Sequence, residues 1–117
     1  MTGQPLIVEA RDGKRGSSQR VLRISGALAY PNAELRFLAR VRVETAPVVI
    51  LDLSGVTFCD SSGVGALMQI HSSFKRENRR LALAAVNERT ALALRIAQVL
   101  PYFTVFVTID EAEDTFA

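Results

Sequence analysis

Val48-Val49-Ile50-Leu51-Asp52-Leu53-Ser54-Gly55-Val56-Thr57-Phe58-Cys59-Asp60-Ser61-Ser62-Gly63-Val64-Gly65-Ala66-Leu67 is the stretch whose reading decides the fold. Pro47 opens it, and the run Val48 to Leu51 is rich in β-branched residues and too continuous in its apolar character for an exposed strand. It reads as a strand covered on both faces and as the centre of a sheet. From Ser61 the period becomes helical, with Val64, Leu67, Met68, His71 and Phe74 at offsets 0, 3, 4, 7 and 10. A buried strand that feeds directly into an amphipathic helix begins a βαβ unit.

The flanking sequence repeats the alternation. Toward the C-terminus, Leu81 to Val86 reads as a strand, and Asn87 caps a helix carrying Leu92, Ile96 and Val99. Thr104 to Ile109 reads as a last strand, and the closing Asp-Glu-Ala-Glu-Asp-Thr-Phe-Ala as a short helix or a frayed end. Toward the N-terminus, Leu6 to Ala10 and Val21 to Ile24 read as an antiparallel pair around the turn residues Asp12-Gly13 and Gly16-Ser17-Ser18. Asn32, after Pro31, caps a helix through Arg42 whose apolar stripe holds Phe37, Leu38 and Val41. The fold class is α/β in a single domain, residues 1–117, with a mixed four- to five-stranded sheet. Its strands are expected to be parallel from Val48 onward, crossed by amphipathic helices.

Composition bounds the function. The 117 residues are 49% hydrophobic and 22% charged with 7 Gly and 4 Pro, which fits one globular domain with a core large enough to need no staples. Cys59 has no partner for an intrachain disulfide, and His71 is the sole histidine that could join it on a metal, so neither a cofactor nor a metal is expected. With no cleavable leader and no apolar run near ~18 residues, the chain is expected in the cytoplasm, without membrane insertion. The net charge of +2 is too small to imply direct nucleic acid binding. Lys75, Arg76, Arg79 and Arg80 cluster, but no aromatic residue is interleaved with Arg79 and Arg80, and the group reads as a solvated helix end.

Function is to be sought where the central strand meets its helix, at Asp60 and Ser61, because carboxyl ends of parallel strands and helix N-termini offer unpaired backbone groups. A serine hydrolase does not fit: there is no G-x-S-x-G, and His71 lies ten residues beyond Ser61 on one helix, about 15 Å along its axis. A nucleotide loop does not fit either, since Gly63-Val64-Gly65 is followed by Met68 where a third Gly or Ala belongs, and no Walker lysine is present. Gly63 and Gly65 read instead as places where the helix crowds the sheet or a visitor comes close. Two readings of the junction stay open. Asp60 or Ser61 is an N-cap, or Ser61 is a regulated hydroxyl whose phosphate the helix terminus would tolerate while the change of charge blocks docking. Cys59 reads as a small packed hydrophobe and His71 as a hydrogen-bonded structural residue. Tyr102 and Phe103 fit either core or a docking patch.

The string Leu-Asp-Leu-Ser-Gly-Val-Thr-Phe-Cys-Asp-Ser-Ser-Gly-Val-Gly-Ala-Leu, with the element order around it, resembles the STAS domain, the fold of bacterial anti-sigma factor antagonists and of modules in sulfate transporters and stressosomes. The resemblance implies a non-enzymatic, phosphorylation-switched module in transcription regulation and stress response. It binds an anti-sigma factor serine kinase while Ser61 is unphosphorylated, which frees the sigma factor. The partner kinase spends the ATP, and a PP2C-type phosphatase resets the switch. By the same resemblance Asp60, Ser61, Ser62, Gly63 and Val64 form the partner-binding residues. Gly26-Ala27-Leu28-Ala29 stands where the family often has Gly-Glu-Leu-Asp, and Gln98-Val99-Leu100-Pro101 lacks a glycine common after the third helix. Ala27 and Ala29 motivate the alternative, a constitutive STAS adaptor subunit of a stressosome-like scaffold or of a lipid-transporting ABC system.

Overall fold

Val48 to Leu53 are buried without interruption because both faces of their strand are covered. The computed structural model describes residues 5–116; the MTGQ start, on which the reading of the leader partly rests, and Ala117 lie outside the described residues. In chain order the elements are β1 (Ile7–Gly13), β2 (Gly16–Leu28), a π-helical segment (Ala33–Leu38) running into α1 (Ala39–Arg42), and β3 (Val48–Cys59). There follow α2 (Ser61–Arg76), β4 (Arg80–Ala84), α3 (Glu88–Ile96), a 3-10 turn (Leu100–Tyr102), β5 (Thr104–Phe106) and α4 (Ile109–Thr115).

The five strands lie in the order β1-β2-β3-β4-β5, with β3 at the centre as its sequence requires. β1 and β2 are antiparallel, and every later neighbour is parallel. The parallel run therefore starts one strand earlier than expected, because residues 29–47 form a full crossover between β2 and β3. The hairpin turn is also tighter than the glycine and serine pattern implies: Lys14 and Arg15 alone make it, Gly16 takes φ +75°, and Ser17 and Ser18 belong to β2.

Alternation along β3 sends Val49, Leu51 and Leu53 into the larger core with Leu22, Ile24, Phe37, Leu67, Phe74 and Leu94. Val48 and Ile50 face the smaller core on the other side of the sheet, with Val21, Ala82, Ala84, Ala112 and Phe116. A period-two strand buried on both faces has no polar side to show, which is why the run is continuous in sequence. α4 is the lid on the second face. It does not fray, because the buried Glu113 carboxylate takes both guanidinium nitrogens of Arg11 at 3.1 Å, and the Gln19 side-chain amide donates to the Glu113 and Phe116 carbonyls. Thr108 caps its start by accepting from Glu111 N–H.

Several helix expectations are corrected. Asn32 has helical dihedrals and makes no side-chain cap, so that helix begins as a π-helical turn. α2 is continuous but rolls its buried stripe toward Ala66 and Ile70, leaving Met68 and His71 half-buried. On α3, capped by Asn87 as expected, Thr90 and Leu94 are buried while Leu92 and Ile96 face outward at 51% and 74% exposure. The apolar spacing misleads here because α3 covers the sheet along only a narrow line. Arg79 is no solvated helix end: its guanidinium lies 4.0 Å above the Phe74 ring and donates to the Glu44 and Ala46 carbonyls, while Arg80 sits 4.7 Å above the Phe116 ring. The aromatics missing from the local sequence come from other elements.

Candidate functional site

Asp60 leaves β3 with extended dihedrals and becomes the N-cap of α2, which decides between Asp60 and Ser61 as the capping residue. One carboxylate oxygen accepts from Gly63 N–H at 3.0 Å and the other from Tyr30 N–H at 3.1 Å. The first bond satisfies a helix donor that would otherwise have no partner, and the second ties the loop after β2 to the same point. Ser61 is then the first residue of the helix and is exposed, with Ser62 half-buried beside it.

The two remaining predicted residues face inward. Gly63 and Val64 are buried. A Cβ at Gly63 would collide with the Leu28 backbone carbonyl, so only glycine lets the helix start settle against the end of β2. Gly65 does not crowd the sheet: a Cβ there would meet nothing within 4 Å. It lines a groove of about 170 Å³ with Tyr30, Glu34, Leu38, Ser62, Ala66 and Gln69, between the π-helical turn and α2.

Two further residues belong to this pole, and sequence reading misses both. Tyr30, just after β2, is 77% exposed, and Phe58, near the end of β3, is 51% exposed. The register between β2 and β3 shifts between Gly26 and Ala27, opposite Val56 and Phe58, so Thr57 and Phe58 are exposed in succession instead of alternating. The signal available is Tyr30 standing alone between Ala29 and Pro31, outside any periodic segment. Exposed aromatics around a central polar group are the usual anchors of protein interfaces.

Cys59 is buried under this surface, and burial, reinforced by the negative charge of Asp60, pushes its thiol up to about 11. It carries essentially no thiolate at neutral pH and packs as a small hydrophobe, as its sequence context implies. His71 lies on the same continuous helix as Ser61 but well along it, with its ring against Phe103 at 5.3 Å and Tyr102 at 6.2 Å. Ring packing holds it, where a hydrogen bond is expected from sequence. Phe103 is core, and Tyr102 is 61% exposed. At the two positions where the resemblance implies acidic residues, Ala27 is half-buried against β3 and Ala29 is buried. Among the described residues no helix is long and apolar enough to cross a membrane.

Known proteins share this fold. A Thermotoga maritima protein described as an anti-sigma factor antagonist superposes with a TM-score of 0.82 at 23% identity, over 92% of each chain. The anti-sigma factor antagonist SpoIIAA in its unphosphorylated form superposes at 0.74 with 19% identity over 95% of each chain. A sulfate transporter family protein from Wolinella succinogenes gives 0.71 with 26% identity over 84% of each chain. The STAS domain family matches residues 9–112, and with that span covering nearly all of the sheet and its helices, the chain belongs to the STAS domain family.

Proposed function

We propose that this protein is an anti-sigma factor antagonist, a non-enzymatic binding module that docks an anti-sigma factor serine kinase at the Asp60–Ser61 pole and is switched off by phosphorylation of Ser61. The observation that carries the reading is an exposed residue, Ser61, at the first position of a 16-residue helix whose cap, Asp60, also holds the backbone of the exposed Tyr30. A phosphoryl group there adds about −1.5 to −2 charges. The helix N-terminus tolerates that charge, so the fold survives. The docking surface does not, because a dianion next to Asp60 must be desolvated when a partner closes over it.

In this reading Ser61 and Ser62 meet the partner directly, whereas Asp60, Gly63 and Val64 hold the pole in shape. The kinase supplies the ATP, a PP2C-type phosphatase removes the phosphate, and the complex forms in the cytoplasm. The test is mass spectrometry of phosphopeptides from the native cells, combined with affinity capture on Ser61→Ala and Ser61→Asp proteins. Condition-dependent phosphate on Ser61, with a serine kinase held by Ser61→Ala and lost from Ser61→Asp, supports the switch. Equal retention by both variants contradicts it.

A second reading has its own observation. The family's acidic pair is replaced by Ala27 and Ala29, and Ala29 is buried, so this pole lacks two carboxylates. That favours a constitutive adaptor in a stressosome-like scaffold or on a lipid-transporting ABC system. A stable complex with a permease and ATPase, unchanged by phosphatase treatment, is the result that selects it.

A further inference from the structure

Lys75, Arg79 and Arg80 line one groove of about 270 Å³ with Leu81, Tyr102 and Thr104. It lies where β4 and β5 begin, beside the last turn of α2 and the 3-10 turn, whereas Ser61 follows the other end of the parallel strands. Among the described residues no carboxylate lines it.

The three cations differ in what already holds them. Arg79 is spent: it donates to the Ala46 and Glu44 carbonyls, and its remaining terminal nitrogen lies 2.8 Å from the Glu77 carboxylate. Arg80 is placed but not spent. Its guanidinium lies 4.7 Å above the Phe116 ring, and its donors meet no acceptor among the described residues. The Lys75 ammonium has no partner among them either. Where arginines serve the fold elsewhere they meet carboxylates, Arg11 with Glu113 and both Arg20 and Arg40 with Glu44.

With Arg79 neutralised by Glu77, two uncompensated positive charges remain in the groove. Packing on a ring holds a guanidinium in place without using its N–H donors, and its fork matches a carboxylate with two parallel bonds. Phe74 and Phe116 are buried and carry Arg79 and Arg80 on their rings, so neither offers a face for stacking a nucleobase.

We infer that this groove binds a small dicarboxylate, its two acid groups paired with Lys75 and Arg80 and its carbon chain resting on Leu81 and the Tyr102 ring. Two free cations call for two negative charges. The volume lies just below the range of small-molecule pockets, which begins at roughly 300 Å³. Leu81 and Tyr102 favour an acid with a carbon body over a bare inorganic ion. Lys75 lies fourteen residues beyond Ser61 on α2, about 21 Å along the helix axis, so occupancy of the groove is separate from docking at the Ser61 pole.

Nitrogen-15 NMR titration of the whole chain with succinate, glutarate and adipate, at about 0.15 M salt to screen diffuse attraction, tests this. The expected result is saturable shifts centred on Lys75, Arg80 and Thr104 with at least one of these chain lengths, and weaker binding of inorganic phosphate. Arg80→Gln should raise the Kd about tenfold, the loss of one charge-assisted contact, and Lys75→Gln should do the same. Arg76→Gln removes a neighbouring exposed cation that does not line the groove, and should leave the Kd unchanged. The spectra themselves show whether each variant is folded, and Lys75→Gln, on the exposed last turn of α2, decides the matter if Arg80→Gln is not. Failure of all three acids to saturate overturns the inference. So does phosphate that binds as tightly as the best acid, or Arg76→Gln that weakens binding as much as the groove variants do.

Discussion

Asp60 accepts a hydrogen bond from the backbone N–H of Tyr30 at 3.1 Å, joining residues thirty positions apart at the mouth of the candidate site. The other oxygen of the same carboxylate caps α2 through Gly63 N–H. One side chain thus fixes both the helix that carries Ser61 and the loop that carries the exposed Tyr30 ring. Asp60→Ala is expected to lower unfolding stability by about 1–2 kcal/mol in urea titrations. Asp60→Asn, which keeps one acceptor oxygen but turns an N–H donor toward the other backbone donor, is expected to lose part of that amount.

The two glycines of the α2 start should separate cleanly under the same substitution. Gly63→Ala forces a methyl group into the Leu28 carbonyl and should cost about 1–3 kcal/mol, because backbone on both sides has to move. Gly65→Ala meets nothing within 4 Å and replaces the poorer helix former, so thermal denaturation should show no loss and a gain of up to about 1 kcal/mol. Similar losses for both variants would mean that the helix start is not seated against β2.

Glu44 gives the protein an acid-sensitive joint. Its burial alone would raise the carboxyl, but bonds from Arg20 at 3.1 Å and Arg40 at 2.8 Å outweigh burial and hold it below the ordinary range. A carboxyl with a lower pKa folded than unfolded contributes stability in full above its unfolded value of about 4.3 and loses it as pH falls from there through the folded value. Urea midpoints of wild-type and Glu44→Gln proteins should therefore differ most near neutral pH and converge as the pH is lowered below about 4. A difference that stays constant across that range would show that the ion pairs, as distinct from simple packing, contribute nothing.

The βαβ character around β3, its central position, the cap that Asn87 places on α3, and the exposure of the residue after Asp60 are all legible in the sequence. Each is governed by residues close together along the chain: an apolar run, a change of period, a capping side chain three residues before its target N–H. The places where reading fails share a different cause. Leu92 and Ile96 have the spacing of a buried stripe, yet which side of α3 meets the sheet is set by the neighbouring elements and not by α3 itself. Arg79 and Arg80 read as solvent-facing charge because Phe74 and Phe116, which lie beneath them, belong to elements before and after.

The same division runs through the site. Local sequence determined that a helix opens at Asp60-Ser61, at the end of a buried central strand, because strand and helix periods and capping chemistry act over a few residues. Only the tertiary structure decided that the Tyr30 backbone is tied to the cap of that helix, that Phe58 is exposed at the end of β3, and that Gly63 is required by Leu28 while Gly65 is open. Those relationships depend on the register of β2 against β3 and on the order of strands in the sheet. Both are fixed by contacts between residues distant in the chain, which no local pattern encodes.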